Sequence, residues 1–203
     1  MTQIDYYFVT ISPWTYLAGD RLEKIAQKHG ATIRYKPCDM NRVFQATGGL
    51  PLAERSQARK DYRMQELRRW RAALGMELTL KPAFFPTNPA PAAYAIIAAQ
   101  AAGGGDLGKL TQSILRACWA EEKDVSDDRV IRACLEGAGF DPALADSGLL
   151  SGAMTYEANA EEAIRVGAFG APYYLVDEKE GFWGQHRVEM MDRNLAGKLP
   201  GLQ

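Results

Sequence analysis

Apolar positions alternate or run together near both ends of the chain and recur at helical spacing between them. Ile4-Asp5-Tyr6-Tyr7-Phe8-Val9-Thr10-Ile11 reads as a strand over residues 3–11. Trp14, Leu17, Ala18, Leu22, Ile25 and Ala26 then follow the three-to-four spacing of a helix over residues 13–28, stopped by His29-Gly30. Thr32-Ile33-Arg34-Tyr35-Lys36 alternates like a second strand and is ended by Pro37. Thr47-Gly48-Gly49-Leu50-Pro51 signals a loop, and residues 53–74, free of Gly and Pro, read as one long helix. Lys81 to Pro91 is broken by four prolines. Helical patterns return at Ala92–Ala102, Leu107–Ala120, Asp128–Ala138 and 151–167. Strand character reappears only at Pro172-Tyr173-Tyr174-Leu175-Val176, where the charged turn Asp177–Gly181 leads into Phe182-Trp183 as a hairpin. A last helix over about 187–198 has Val188, Met191 and Leu195 inward.

The order is thus β-α-β at the front and β-β-α at the back, with roughly 110 helical residues between them. That is the outline of an α/β thioredoxin-like fold interrupted by an all-helical insertion. The expected division is residues 1–46 for the first part, 47–165 for the insertion and 166–203 for the second part. A strand–helix–strand opening implies a parallel pair.

Composition narrows the function. With 24 Lys and Arg against 25 Asp and Glu, no basic field points to nucleic acid. No apolar stretch approaches the roughly 18 residues of a membrane span. Met1-Thr2-Gln3-Ile4-Asp5 lacks the basic and apolar regions of a secretory leader. Cys38, Cys118 and Cys134 are far apart, with no C-x-x-C, so neither a redox pair nor a zinc knuckle is encoded and no metal site is expected. Cys118 and Cys134 fall on apolar helix faces as structural thiols, and a reducing, cytoplasmic setting fits.

Ser12-Pro13-Trp14-Thr15 sits where the first strand hands over to a helix. Ser is favoured as an N-cap, and its hydroxyl there can also donate to an anion held by the free N–H groups of the first turn. A thioredoxin-type oxidoreductase would carry Cys-Pro-x-Cys at this point. Hydroxyls stand here instead, so thiol–disulfide exchange is excluded and a thiol is expected to arrive with a ligand. Hydrolase chemistry at Ser12 needs a base. His29 lies at the far end of the same predicted helix, roughly 24 Å away at 1.5 Å per residue; His186 could approach from the back half of the fold, but there is no G-x-S-x-G elbow. No P-loop or dinucleotide fingerprint occurs. Gly170-Ala171-Pro172 precedes the returning strand, where thioredoxin-like folds place a cis-proline facing the active-site helix. Gly184-Gln185-His186-Arg187 opens the last helix with N–H groups suited to a carboxylate. Arg55, Arg59, Lys60, Arg63, Arg68, Arg69 and Arg71 form a largely solvated face, of which one or two can meet an anionic ligand.

Five motifs taken together resemble the 2-hydroxychromene-2-carboxylate isomerase family, a DsbA-type thioredoxin-like group close to kappa-class glutathione transferases. They are Tyr7-Phe8 through Ser12-Pro13-Trp14-Thr15-Tyr16-Leu17, Val43-Phe44-Gln45-Ala46-Thr47-Gly48, Phe85-Pro86-Thr87-Asn88, Phe169-Gly170-Ala171-Pro172 and Phe182-Trp183-Gly184-Gln185-His186-Arg187. The resemblance covers nearly the whole chain. It implies a glutathione-dependent cis–trans isomerase of an aromatic 2-oxo acid, in aromatic-compound degradation, with Ser12 contacting the glutathione sulfur. It further implies that Ala171, beside Pro172, pairs with the cysteinyl part and that Gln185 and His186 hold the γ-glutamyl end. Arg59 or Lys60 would meet the glycyl carboxylate. Trp14, Phe44 and Asn88 would line the site of a small aromatic substrate, and a homodimer is suggested. Two positions depart from the family pattern: His186 stands for an Asp, and Gly49 for an Asn. A kappa-like transferase and a non-redox thioredoxin-like binding module remain alternatives.

Overall fold

The structure is a computed structural model that describes residues 1–199, so the last four residues of the expected 166–203 segment lie outside it. The described residues form β1 (Gln3–Phe8), α1 (Pro13–Tyr16), α2 (Arg21–His29), β2 (Thr32–Pro37), α3 (Met40–Thr47) and α4 (Gln57–Leu74). There follow α5 (Ala90–Ala102), α6 (Leu107–Trp119), α7 (Asp128–Gly137), α8 (Leu144–Ser147), α9 (Leu149–Arg165), β3 (Tyr173–Val176), β4 (Glu180–Trp183) and α10 (Val188–Leu195). The strands form one mixed sheet in the order β2-β1-β3-β4. β1 runs parallel to β2 and antiparallel to β3, with Tyr7 level with Lys36 on one side and Tyr173 on the other. Between β2 and β3 the chain is helical, which gives the thioredoxin-like α/β fold that the pattern predicts.

Strand alternation decides which face packs against what. Ile4, Tyr6 and Phe8 join Tyr174 and Val176 in the larger core, with Leu22 and Ala26 of α2 and Val188 and Met191 of α10. Tyr7, Tyr173 and Leu175 point the other way, onto Met40 and Val43 of α3 and Ala160 and Ala163 of α9. The sheet is therefore covered on both sides, as a partly parallel sheet requires.

Three elements differ from the sequence pattern. β1 stops at Phe8, because the Ser12 N–H turns back to the Val9 carbonyl at 3.1 Å. The helix expected over 13–28 is broken. Gly19 adopts φ +60°, and Arg21 donates to the carbonyls of Leu17 (2.8 Å) and Ala18 (3.0 Å) that a continuous helix would have used. α3 went unassigned in the pattern. It is fixed by its ends: Asp39 Oδ1 accepts the Asn41 N–H at 2.9 Å, and Gly48 closes it in the left-handed region.

One charged cluster lies inside this packing. Asp5, 1% exposed, accepts two N–H bonds from Arg34, at 2.6 and 3.0 Å, and has Lys36 at 3.6 Å. Lys36 also reaches Glu162 of α9 at 2.5 Å, tying that helix to the sheet. Removing one member of a buried pair leaves the other charge desolvated, which costs about 3–5 kcal/mol. Asp5→Ala is expected at the low end, near 3 kcal/mol, because Arg34 remains partly exposed. Asp20→Ala, which breaks a solvent-exposed pair with Lys24, should change stability by under about 1 kcal/mol. Urea denaturation of the two variants checks this contrast.

Candidate functional site

Several elements end together at one edge of the sheet. β1 finishes at Phe8, and its register with β3 brings Pro172 level with that residue. The Cys38 N–H bonds Phe8 O at 3.0 Å, which places the start of α3 there. Thr10 Oγ1 donates to Pro89 O at 2.8 Å and anchors the start of α5. The Trp119 Nε1–H donates to Ile11 O at 3.3 Å from the end of α6. The Gly184 N–H bonds Pro172 O at 2.8 Å, so the 3-10 turn Gln185–Arg187 opens at the same edge.

Ser12 stands at the centre of this convergence, 8% exposed. Its Oγ accepts the Thr15 N–H at 3.2 Å and caps α1, as a Ser at this position does. That contact uses the oxygen as an acceptor and leaves the hydroxyl proton available to a ligand. α1 is four residues long, so a long-helix dipole, which a helix over 13–28 would bring, is absent. Local N–H groups and the Ser12 hydroxyl remain. Trp14 is half-buried against the larger core, and Thr15 Oγ1 is buried with no hydrogen-bond partner among the described residues. Burial pushes Cys38 and Cys118 up to about 12 and Cys134 up to about 11, so all three stay protonated.

The Ala171–Pro172 bond is cis, as the sequence reading expects. Gln185 is buried; its Oε1 accepts from Arg21, while its Nε2 has no partner among the described residues. His186 packs on the Trp70 ring of α4 at 6.3 Å between centroids. Desolvation, then the charges of Arg187 and Arg21, lower its pKa from 6.5, so the imidazole is neutral at pH 7.

The remaining predicted residues divide. Phe44 of α3 is half-buried, with the Arg55 guanidinium 5.7 Å over its ring. Gly49 is where it is because of Phe44: a Cβ there would stand 2.5 Å from Phe44 Cδ1, which no Asn could avoid without moving the ring. Arg59 is exposed and available. Lys60 Nζ donates to Ala53 O at 2.7 Å, which uses one of the three donors of its ammonium. Asn88 is exposed, and its Oδ1 accepts the Ala90 N–H at 3.1 Å at the start of α5. Sequence reasoning did not single out Arg21 or Trp119, and it gave Phe85 only as part of the Phe85-Pro86-Thr87-Asn88 motif. Arg21 meets Gln185 and Trp119 meets Ile11 across more than 100 positions of chain, which no local pattern marks.

Fold and site geometry define a thioredoxin-like protein of the DsbA class. A family model described as a DSBA-like thioredoxin domain matches residues 3–196. The 2-hydroxychromene-2-carboxylate isomerase of Sphingobium xenophagum is 30% identical over 195 residues, 95% of this chain and 97% of that protein. A solved structure of a 2-hydroxychromene-2-carboxylate isomerase superposes with a TM-score of 0.77 at 26% identity, covering 96% of this chain and 95% of the other. Glutathione S-transferase kappa 1 of Caenorhabditis elegans is 35% identical over 85 residues, 41% of this chain and 37% of that protein. The chain belongs to the 2-hydroxychromene-2-carboxylate isomerase family.

Two measurements probe the site's local physics. Gly49→Asn should destabilise by about 1–3 kcal/mol through overpacking against Phe44, read by urea denaturation. In an NMR pH titration, His186 should titrate below 6.5. Because its folded value is lowered, its stabilising contribution is complete above 6.5 and fades as pH falls through the folded value. A midpoint at or above 6.5 contradicts the desolvated setting of the ring beside Arg187 and Arg21.

Proposed function

We propose that the protein is a glutathione-dependent cis–trans isomerase of an aromatic 2-oxo acid. The observation that carries this reading is Ser12: a buried hydroxyl, fixed by the Thr15 N–H, with its proton free and no ionised protein thiol to serve. The family supports the reaction class, and the kappa-transferase relative's name supports the cofactor. Glutathione fits the polar groups present. The buried Gln185 Nε2 lacks an acceptor, which a γ-glutamyl carboxylate provides. Bound glutathione supplies a sulfur nucleophile that adds reversibly to a conjugated double bond, which is the chemistry such an isomerisation needs.

The chain's residues then have distinct tasks. Ser12 donates its O–H to sulfur and holds the thiolate form. A free thiol titrates near 8.5, and lowering that by one to two units is worth about 1.4–2.7 kcal/mol. Because α1 is short, that stabilisation rests on the Ser12 hydrogen bond and the neighbouring N–H groups. The backbone of Ala171, beside cis-Pro172, pairs with the cysteinyl part. Gln185 donates to the γ-glutamyl carboxylate. His186 is neutral and contributes a hydrogen bond instead of the ion pair an Asp would form with the α-ammonium. Arg59, exposed and free, meets the glycyl carboxylate, and Lys60 positions the turn before α4. Trp14 and Phe44 supply apolar walls for the aromatic substrate, with Asn88 at the rim.

Calorimetry with glutathione and turnover of 2-hydroxychromene-2-carboxylate test the reading. Wild type should bind glutathione and lower its thiol pKa, followed by ultraviolet thiolate absorbance. Ser12→Ala should keep binding but lose most of the pKa shift, slowing turnover about ten- to a hundredfold, the kinetic equivalent of one to two pKa units. No binding at millimolar glutathione would sink the proposal. The 85-residue kappa-transferase match favours a second reading, in which the same thiolate forms a stable thioether. Glutathione recovered unchanged with the product separates the isomerase from it.

A further inference from the structure

Helix α4 presents Leu67, Trp70 and Leu74 to the larger core, and Arg63 lies one turn before Leu67 on that stripe. The stripe calls for an apolar side chain at this position, and it carries a half-buried guanidinium instead. The Arg63 guanidinium lies 5.8 Å over the Phe85 ring and 5.9 Å over Trp119, two rings that are themselves 4.8 Å apart. Trp119 bonds Ile11 O at 3.3 Å, so a single ring separates this cation from the backbone preceding Ser12.

Arg63 has no acid. Among the described residues it makes no ion pair, and its hydrogen-bond contact is to the Met64 thioether, Nη1 to Sδ 3.8 Å. The charge that acts on it is Arg55, another cation, which in turn feels Arg59. Burial and this repulsion push Arg63 down to about 10. Several other arginines have acids beside them: Arg34 with Asp5, Arg42 with Glu157 and Glu161, Arg116 with Glu77 and Glu121, Arg132 with Asp128 and Asp146. A desolvated guanidinium left without a counterion, beside a second one, is destabilising in the free protein. An anion relieves both terms. A guanidinium stacked over aromatic rings keeps its edge N–H groups free, and their fork matches a carboxylate.

We propose that Arg63, supported by Arg55, is the anchor for the carboxylate of a planar aryl acid whose ring packs on Phe85, and that this anchor selects the substrate. Naming the ligand as the substrate rests on the isomerase reading; the anion site itself does not.

Equilibrium titration of the full chain with trans-cinnamate and with neutral trans-cinnamamide tests the site without turnover. Wild type should prefer the acid by about ten- to a hundredfold, the range of a charge-assisted hydrogen bond. Arg63→Gln should abolish the preference, Arg63→Lys should retain part of it, and Lys24→Gln on exposed α2 should leave it intact. Arg63→Met should keep or raise the melting temperature, since it removes a partnerless cation from an apolar stripe. Equal affinity for acid and amide in wild type, or an undiminished preference in Arg63→Gln, overturns the proposal. If cinnamate binds through Arg63 but 2-hydroxychromene-2-carboxylate is not turned over, the isomerase reading fails and the anion site stands. If turnover occurs and Arg63→Gln leaves KM unchanged, the anion site fails and the isomerase reading stands.

Discussion

Tyr7 has Lys36 beside it on one strand and Tyr173 on the other, and this double pairing of β1 fixes the place of every residue at the ligand edge. Parallel pairing brings the end of β2, and so α3 with Phe44, alongside the end of β1. Antiparallel pairing brings the beginning of β3, and so cis-Pro172, to the same level. From there the Gly184 N–H to Pro172 O bond carries Gln185 and His186 into place. A one-residue slip of β1 would exchange its two packed faces, so the alternation that builds both cores also holds this register.

Buried polar groups are partnered unevenly. Asp5, Arg34, Lys36 and Glu162 form a matched cluster in the sheet, while Tyr174 Oη and Thr111 Oγ1 are buried with no hydrogen bond among the described residues. Thr15 Oγ1 and Gln185 Nε2 are two more such groups, at the edge that carries Ser12 and cis-Pro172, and Arg63 is half-buried with no acid among the described residues. These three are donors where the proposed anionic ligands would meet them. Stability given up at a ligand site is a common pattern in enzymes. Burial keeps all three of the protein's cysteines protonated.

Much of the fold was legible. The strand–helix–strand opening and the closing hairpin with its helix appear within a few residues of their predicted positions, because hydrophobic periodicity directly reports one-sided burial. The cap at Ser12 and the cis bond before Pro172 were legible because they sit at element boundaries, where residue type is informative. The break after Tyr16 was missed because it depends on Arg21 capping carbonyls and on Gln112 reaching Gly19 O at 2.7 Å, contacts that a helical pattern does not encode. α3 was missed because eight residues between a strand and a glycine-rich loop offer little periodicity.

The sequence by itself determined most of the helix and strand segments, which family they belong to, and that a hydroxyl rather than a thiol caps α1. Those properties depend on local residue type and spacing. Tertiary structure alone decided which cations are free. Lys60 and Arg59 are neighbours in the chain, yet one donates to Ala53 O and the other faces solvent. Arg63 reads as one more charge on a basic helix until Phe85 and Trp119, 22 and 56 positions away, close beneath it. Desolvation is a property of what surrounds a group, so no count along the chain could assign it.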